Sequence, residues 1–132
     1  MKYLLDTNAV IALIKGNDRL IAELRKHTPT DFAMPAIVAH ELFYGAYKSL
    51  HIDENLARID ALQFAILEFD RNDARKAGEV RAALRASGTP IGPYDVLIAG
   101  QAAARGLVLI TRNLREFEHV ADLQVENWEG SP

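Results

Sequence analysis

Leu107-Val108-Leu109-Ile110 is an unbroken run of leucine and β-branched residues, and a strand with no polar face belongs inside a parallel sheet covered by helices. The chain around it supplies those helices. Pro93 to Arg105, just upstream, reads as one, with Ile98, Ala99, Ala102 and Ala103 on its apolar side. Before that, Ala74, Ala77, Val80 and Leu84 recur at three- and four-residue steps behind Asp70, which holds the place of an N-cap. This helix stops at Gly88 with Pro90 just beyond. Ala65 to Phe69 is a further strand, preceded by helical stretches over Glu54 to Gln63 and Ile37 to Leu50. Phe32-Ala33-Met34 is a short strand stopped by Pro35, and Asp18 to Lys26 is helical. At the N-terminus, Tyr3-Leu4-Leu5 is the first strand and Val10, Leu13 and Ile14 follow at helical spacing. A short helix and an edge strand at Gln124 to Asn127 close the chain. Strands alternating with helices predict an α/β fold with a central, mainly parallel sheet.

Composition agrees with one domain over residues 1–132. A chain of 132 residues, 49% hydrophobic and 25% charged, is long enough for one core and short for two. It has no internal repeat and no separating linker. The absence of cysteine excludes disulfides, thiolate metal sites and cysteine nucleophiles, which fits a reducing cytoplasm. No apolar run approaches the roughly 18 residues of a membrane span, and Asp6 comes too early for a signal peptide. The net charge of −3 does not exclude RNA, because buried acids contribute negative charge without governing the outer surface.

Three acids stand where their charge is awkward. Asp6 ends the first strand in Leu5-Asp6-Thr7-Asn8, Glu41 interrupts the apolar side of a helix in His40-Glu41-Leu42, and Asp95 opens the helix that begins at Pro93. Carboxylates gathered in such settings repel one another, and a hard divalent cation relieves them. In a parallel sheet the meeting place is the carboxyl rim of the strands. Asp6 is there, and Thr111 and Asn113 join it if the strand over Leu107 to Ile110 runs parallel to the first. The implied chemistry is metal-dependent phosphodiester cleavage. Each acid alone also has a structural reading: Asp6 ahead of a Thr7 or Asn8 cap, and Asp95 in a first turn favoured by the helix dipole. Asn113-x-x-Glu116 has the form of a capping box. His40 points about 100° away from Glu41 on a helix, and the four histidines read as surface residues. Phe43, Tyr44, Tyr47 and Leu50 read as core, or as a groove for a partner helix.

These blocks, together with Tyr44-Gly45, Gly88-Thr89-Pro90-Ile91-Gly92-Pro93-Tyr94-Asp95 and Leu109-Ile110-Thr111-Arg112-Asn113 with Glu116-Phe117, resemble the PIN-domain ribonucleases of the VapC toxin type, in the same order and over nearly the whole chain. The resemblance implies a three-layer α/β/α PIN-like domain and endoribonuclease activity with Mg²⁺ or Mn²⁺. It also implies a cognate antitoxin, a homodimer and an RNA substrate, with tRNA and the initiator tRNA anticodon loop as the candidate target. It carries metal binding onto Asp6 and Asp95 and completes the acidic set with Glu41. Many PIN domains have a fourth aspartate where this chain has Asn113, although toxins of the same subgroup tend to share the asparagine. Glu116, one turn on, is the candidate substitute. Glu41 is placed to orient or deprotonate the attacking water, and Thr7, Asn8, Thr111 and Asn113 to fix the carboxylates by hydrogen bonds.

Basic residues group at Arg19, Arg25 and Lys26, at Arg71, Arg75, Lys76, Arg81 and Arg85, and at Arg105, Arg112 and Arg115. Most read as solvated helix faces. Arg112 and Arg115 flank the expected rim and are candidate contacts to an RNA backbone. Two other classes compete. A phosphatase using Asp6 as nucleophile would want a second acid at position 8, which is Asn8. A non-catalytic RNA- or protein-binding module of the same fold would have no need of three retained acids.

Overall fold

The computed structural model describes residues 1–130. Five strands, β1 (Tyr3–Leu5), β2 (Phe32–Pro35), β3 (Ala65–Leu67), β4 (Val108–Ile110) and β5 (Val125–Glu126), assemble in the order β3-β2-β1-β4-β5. Every neighbouring pair is parallel. The helices are α1 (Thr7–Ile14), α2 (Asp18–Leu24), α3 (Ala36–Tyr47), α4 (Ile52–Asp60), α5 (Arg71–Ala86), α6 (Pro93–Arg105) and α7 (Leu114–Phe117). This is the expected α/β/α architecture. Central β1 pairs Leu4 with Ala33 on one side and with Leu109 on the other. Leu4, Leu5, Ala33, Leu109 and Ile110 are almost wholly buried, as strands covered on both faces must be. The chain builds outward from β1 through β2 to β3, then returns to place β4 on the opposite side of β1. That reversal opens a crevice between the carboxyl ends of β1 and β4, the usual ligand position in such sheets.

Several boundaries differ from the sequence expectation, each for a local reason. Helix α3 ends at Tyr47 rather than Leu50, because the Ser49 hydroxyl takes the Ala46 carbonyl at 2.6 Å and in turn accepts from Asn55 Nδ2 at 2.9 Å. Helix α4 begins at Ile52 and is over by Ala61, and Gln63 turns the chain with φ 55°. β3 stops at Leu67, an edge strand whose Ala65 and Ile66 stay exposed.

Helix α5 starts as expected. The Asp70 carboxylate accepts from Asp73 N at 3.0 Å, and Asp73 answers by accepting from Asp70 N at 2.9 Å, a capping box with aspartate in the third position. Its buried face, however, takes Asp73 instead of Ala74. Burial pushes the Asp73 carboxyl up, but Arg105, the Asp70 N–H and the Gln101 amide outweigh it and hold the group below its ordinary range. Arg105 donates to Asp73 through Nε at 3.1 Å and Nη2 at 2.9 Å, and Gln101 Nε2 donates at 3.0 Å. Arg105 is therefore an ion-pair partner, not a solvated charge. Nearby, α5 and α6 approach so closely that a Cβ on Gly100 would stand 2.5 Å from Ala77 Cα. This contact and the Asp73 network lock α6, and with it the position of Asp95.

Two further expectations are corrected. His27 is not a surface residue: its ring stacks on Trp128 at 5.4 Å and meets Tyr3 and Phe32 edge-on. Tyr44, Tyr47 and Leu50 are not core residues. They are 61%, 64% and 97% exposed, because the apolar side of α3 is carried by Val38, Ala39, Leu42 and Ala46 instead.

Candidate active site

The crevice between β1 and β4 gathers the acids. Asp6 follows β1 directly, and its backbone N–H still bonds Ile110 O at 3.2 Å, which ties it to the end of β4. Its carboxylate caps α1 itself, accepting from Ala9 N at 2.8 Å, so neither Thr7 nor Asn8 serves as that cap. Asp6 is only 5% exposed. Burial raises its carboxyl above the ordinary range. The Thr111 hydroxyl and the Ala9 N–H pull it down, Glu41 raises it further, and Arg112 lowers it.

Glu41 enters from α3. Its Oε1 accepts from the Thr7 hydroxyl at 2.8 Å, so the residue after Asp6 orients the second acid. Asp95 enters from the first turn of α6, after Gly92 and Pro93. Its carboxyl is pushed up to about 6, by burial first, then by the hydrogen-bonded Glu116 carboxyl and its charge, then by Asp6 and Glu41. Glu116 comes from α7, and its Oε1 also accepts from Gly92 N at 3.0 Å. A Cβ at Gly92 would lie 3.4 Å from Asp95 Oδ2 and 3.8 Å from Glu116 Oε1, so the missing side chain leaves room for the two carboxyls to meet.

The capping box expected at Asn113-x-x-Glu116 does not form. The Asn113 side chain makes no capping bond, and Glu116 is drawn instead to Gly92 and Asp95. Asn113 contributes its backbone N–H, which bonds the Thr111 hydroxyl at 3.0 Å and so braces the group beside Asp6. Asn8 is exposed, and among the described hydrogen bonds it reaches none of the four carboxylates. Thr7 and Thr111 do hold acids, while Asn8 and the Asn113 side chain do not. Arg112 is exposed and its charge acts on Asp6 and on Glu129. Arg115 is exposed and pairs with no carboxylate among the described residues.

Glu129 was not marked by any motif. It lies past β5, where burial raises its carboxyl, Arg112 opposes that, and Asp6 adds to it. Only the fold brings this acid to the rim, since nothing in Trp128-Glu129-Gly130 distinguishes it.

Among the described residues, no three His, Asp or Glu side chains form a ready-made cation cage. The donors nevertheless suit a hard, largely hydrated dication, which needs only one or two carboxylates beside its waters and a substrate phosphate. All the donors are oxygens, and a cation would offset the burial and the repulsion that together lift Asp95.

Comparison with known proteins places this geometry. The PIN-domain family model matches residues 3–123. The chain is 41% identical over 130 residues to the tRNA(fMet)-specific endonuclease VapC of Salmonella typhimurium, spanning 97% of this chain and 98% of that protein. It is 38% identical over 130 residues to ribonuclease VapC2 of Haemophilus influenzae, again spanning 97% and 98%. The crystal structure of DNA-bound VapBC from Salmonella typhimurium aligns with a TM-score of 0.91 at 41% identity, covering 97% of this chain and 98% of that one. That of VapBC2 from Rickettsia felis, bound to a promoter DNA fragment, aligns with a TM-score of 0.90 at 33% identity, covering 97% and 99%. With a parallel sheet reversing between β1 and β4 and acids lodged at the reversal, the chain belongs to the PIN-domain family, among its VapC ribonucleases.

Proposed function

We propose that this chain is the toxin of a cytoplasmic toxin–antitoxin pair: an endoribonuclease dependent on Mg²⁺ or Mn²⁺ that cuts tRNA and thereby stops translation. The observation that carries the reading is the convergence of Asp6, Glu41, Asp95 and Glu116, with Asp95 lifted to about 6 by burial and by the other three. Burial and repulsion at that cluster cost the metal-free fold stability, and a bound cation would offset the cost. Asp6 and Asp95 would hold the ion. A bound dication supplies polarisation of a phosphoryl oxygen and a more acidic water. The chain does the rest: Thr7 fixes the Glu41 carboxylate to accept a proton from the attacking water, and Thr111 with Ala9 N–H orients Asp6. Glu116, hydrogen-bonded to Asp95, raises that carboxyl and so adds to the demand for positive charge at the site. Arg112, beside Asp6, and Arg115 are placed for the RNA backbone.

The names of the relatives point to initiator tRNA as substrate, and cleavage in its anticodon loop is the specific form of the proposal. Their VapBC structures support a cognate antitoxin for this chain, and we infer that the toxin works as a homodimer. No helix among the described residues is long and apolar enough to cross a membrane. The test is incubation of the purified chain, freed of antitoxin, with total tRNA in Mg²⁺ or EDTA, followed by mapping of the ends. Metal-dependent cuts that vanish in Asp6→Asn are expected. Binding of RNA without cutting in any divalent ion would overturn the enzyme in favour of a non-catalytic module.

A further inference from the structure

A groove of about 600 Å³ has Glu41, one of the four clustered acids, in its wall. Thr7, His40, Tyr44 and Lys48 line it with Glu41, and Tyr94 joins them from the start of α6. Tyr94 immediately precedes Asp95, and its ring meets the His40 ring edge-on at 5.7 Å and 76°. Lys48 Nζ lies 4.9 Å from the centroid of the Tyr44 ring. Tyr44 is 61% exposed and Tyr94 47%, so neither ring is needed to fill the core. Rings and a cation together suit an unpaired nucleic-acid strand, whose bases stack while its phosphates are neutralised.

We propose that Tyr94 and Tyr44 form a base-stacking platform for the unpaired nucleotides that flank the scissile phosphate, with His40 bracing Tyr94 and Lys48 facing the adjoining phosphate. The inference rests on the ribonuclease reading above, in which the cut falls in an unpaired loop, and adds how that loop is held: its bases splayed onto rings beside the acids. A duplex keeps its bases stacked on one another and cannot use this wall. Sequence tolerance at the stacked positions follows, because every base presents a π face.

The test compares wild type with Tyr44→Ala, Tyr94→Ala and Tyr94→Phe on a loop-containing RNA, and on the same RNA carrying an abasic nucleotide on either side of the cut. Each alanine variant should raise KM about tenfold or more, with kcat little changed, and Tyr94→Phe should restore it. On the abasic RNA, wild type and the alanine variants should become alike. As a readout independent of turnover, 2-aminopurine placed beside the cut site should be quenched on binding to Asp6→Asn protein in Mg²⁺. That quenching should be lost when Tyr94→Ala is added. Unchanged KM in both alanine variants overturns the platform, as does an equal loss on intact and abasic RNA. If the rings serve a protein partner, the alanine variants will release antitoxin while KM for RNA stays put, and the platform is again overturned. Wild type that cuts no RNA removes both this inference and the ribonuclease reading, whereas wild-type cleavage with unaltered variants removes the platform alone.

Discussion

Replacing Asp95 with asparagine should make the metal-free protein more stable while abolishing its activity. The carboxyl is lifted from its ordinary 3.8 to about 6, a difference worth about 3 kcal/mol between its two protonation states. The group is partly open to water, which screens the interaction and leaves about 1–2 kcal/mol. Asparagine also forfeits the helix-dipole attraction that Asp95 enjoys in the first turn of α6, about 0.3–1 kcal/mol. A net gain of about 1 kcal/mol remains, or about 3–5 °C in Tm for a domain of this size. The sign fixes the pH window. A raised carboxyl binds its proton more tightly in the folded chain, so the penalty in wild type is absent below about pH 4 and complete above about pH 6 to 7. Melting of both proteins in EDTA from pH 4 to 8 should show the curves diverging across that interval, with Asp95→Asn the more stable at the upper end. Added Mg²⁺ should stabilise wild type more than the variant. Identical melting at pH 7.5, or a gain that persists unchanged at pH 4, would refute the claim that burial and the neighbouring acids together raise this carboxyl.

Glu116→Gln should keep the Gly92 N–H bond while removing a charge that helps lift Asp95; in EDTA the Asp95 carboxyl, followed by NMR, should titrate below about 6, and cleavage in Mg²⁺ should slow by orders of magnitude, whereas an unchanged titration and rate would leave Glu116 a structural brace. Gly100→Ala should lower the urea midpoint by an amount corresponding to about 1–3 kcal/mol, since its Cβ would stand 2.5 Å from Ala77 Cα and force α5 and α6 apart; a midpoint equal to wild type would show that the contact relaxes freely. Asp73→Asn should cost about 1–3 kcal/mol at pH 7 by weakening the Arg105 and Gln101 network. Because the Asp73 carboxyl is held below its ordinary range, that contribution is present above about pH 4 and fades as pH falls, so urea titrations of the two proteins should converge in acid.

The strands and most helices were legible because burial and periodicity are local signals. Leu107 to Ile110 is apolar in sequence and central in space, and Asp70 before the repeat of Ala77, Val80 and Leu84 marks α5 from its first residue. What the sequence hid was where polar groups found partners. The apolar repeat puts Ala74 on the buried face of α5, but Asp73 takes that place once Arg105 and Gln101, on the neighbouring helix, are brought to it. Asn113 and Glu116 have capping-box spacing, but a carboxylate chooses by energy rather than by spacing. The Gly92 N–H and the Asp95 carboxyl were available to Glu116, and it took them. Tyr44 and Tyr47 fall at the right interval for a core stripe, yet the face of α3 that meets the sheet is set by Val38, Ala39 and Leu42, which turns both tyrosines to solvent. Glu129 illustrates the limit most plainly, since only a parallel β5 beside β4 delivers it to Asp6 and Arg112.

The placement of the acids explains how the domain tolerates them before any cation arrives. Asp6 caps α1, and Asp95 lies in the first turn of α6, so both carboxylates sit at the positive ends of helices of eight and thirteen residues. Asp6 also receives the Ala9 N–H, and Glu116 receives that of Gly92. Glu41, in the interior of α3, has no helix end to favour it and draws on the Thr7 hydroxyl instead. These contacts offset part of the desolvation and repulsion. They do not cancel them: the largest effect on both Asp6 and Asp95 is burial, and both carboxyls remain above their ordinary values. The balance is thus tipped so that the fold holds the cluster together and still leaves it short of positive charge. Fewer fixed dipoles would let the acids push the rim apart. A fully compensating partner inside the chain, such as the Arg105 that neutralises Asp73 on α5, would leave nothing for a cation or a phosphate-bound metal to complete. Arg112 acts on Asp6 only as its smallest resolved influence, so the deficit survives at the place where a substrate must enter.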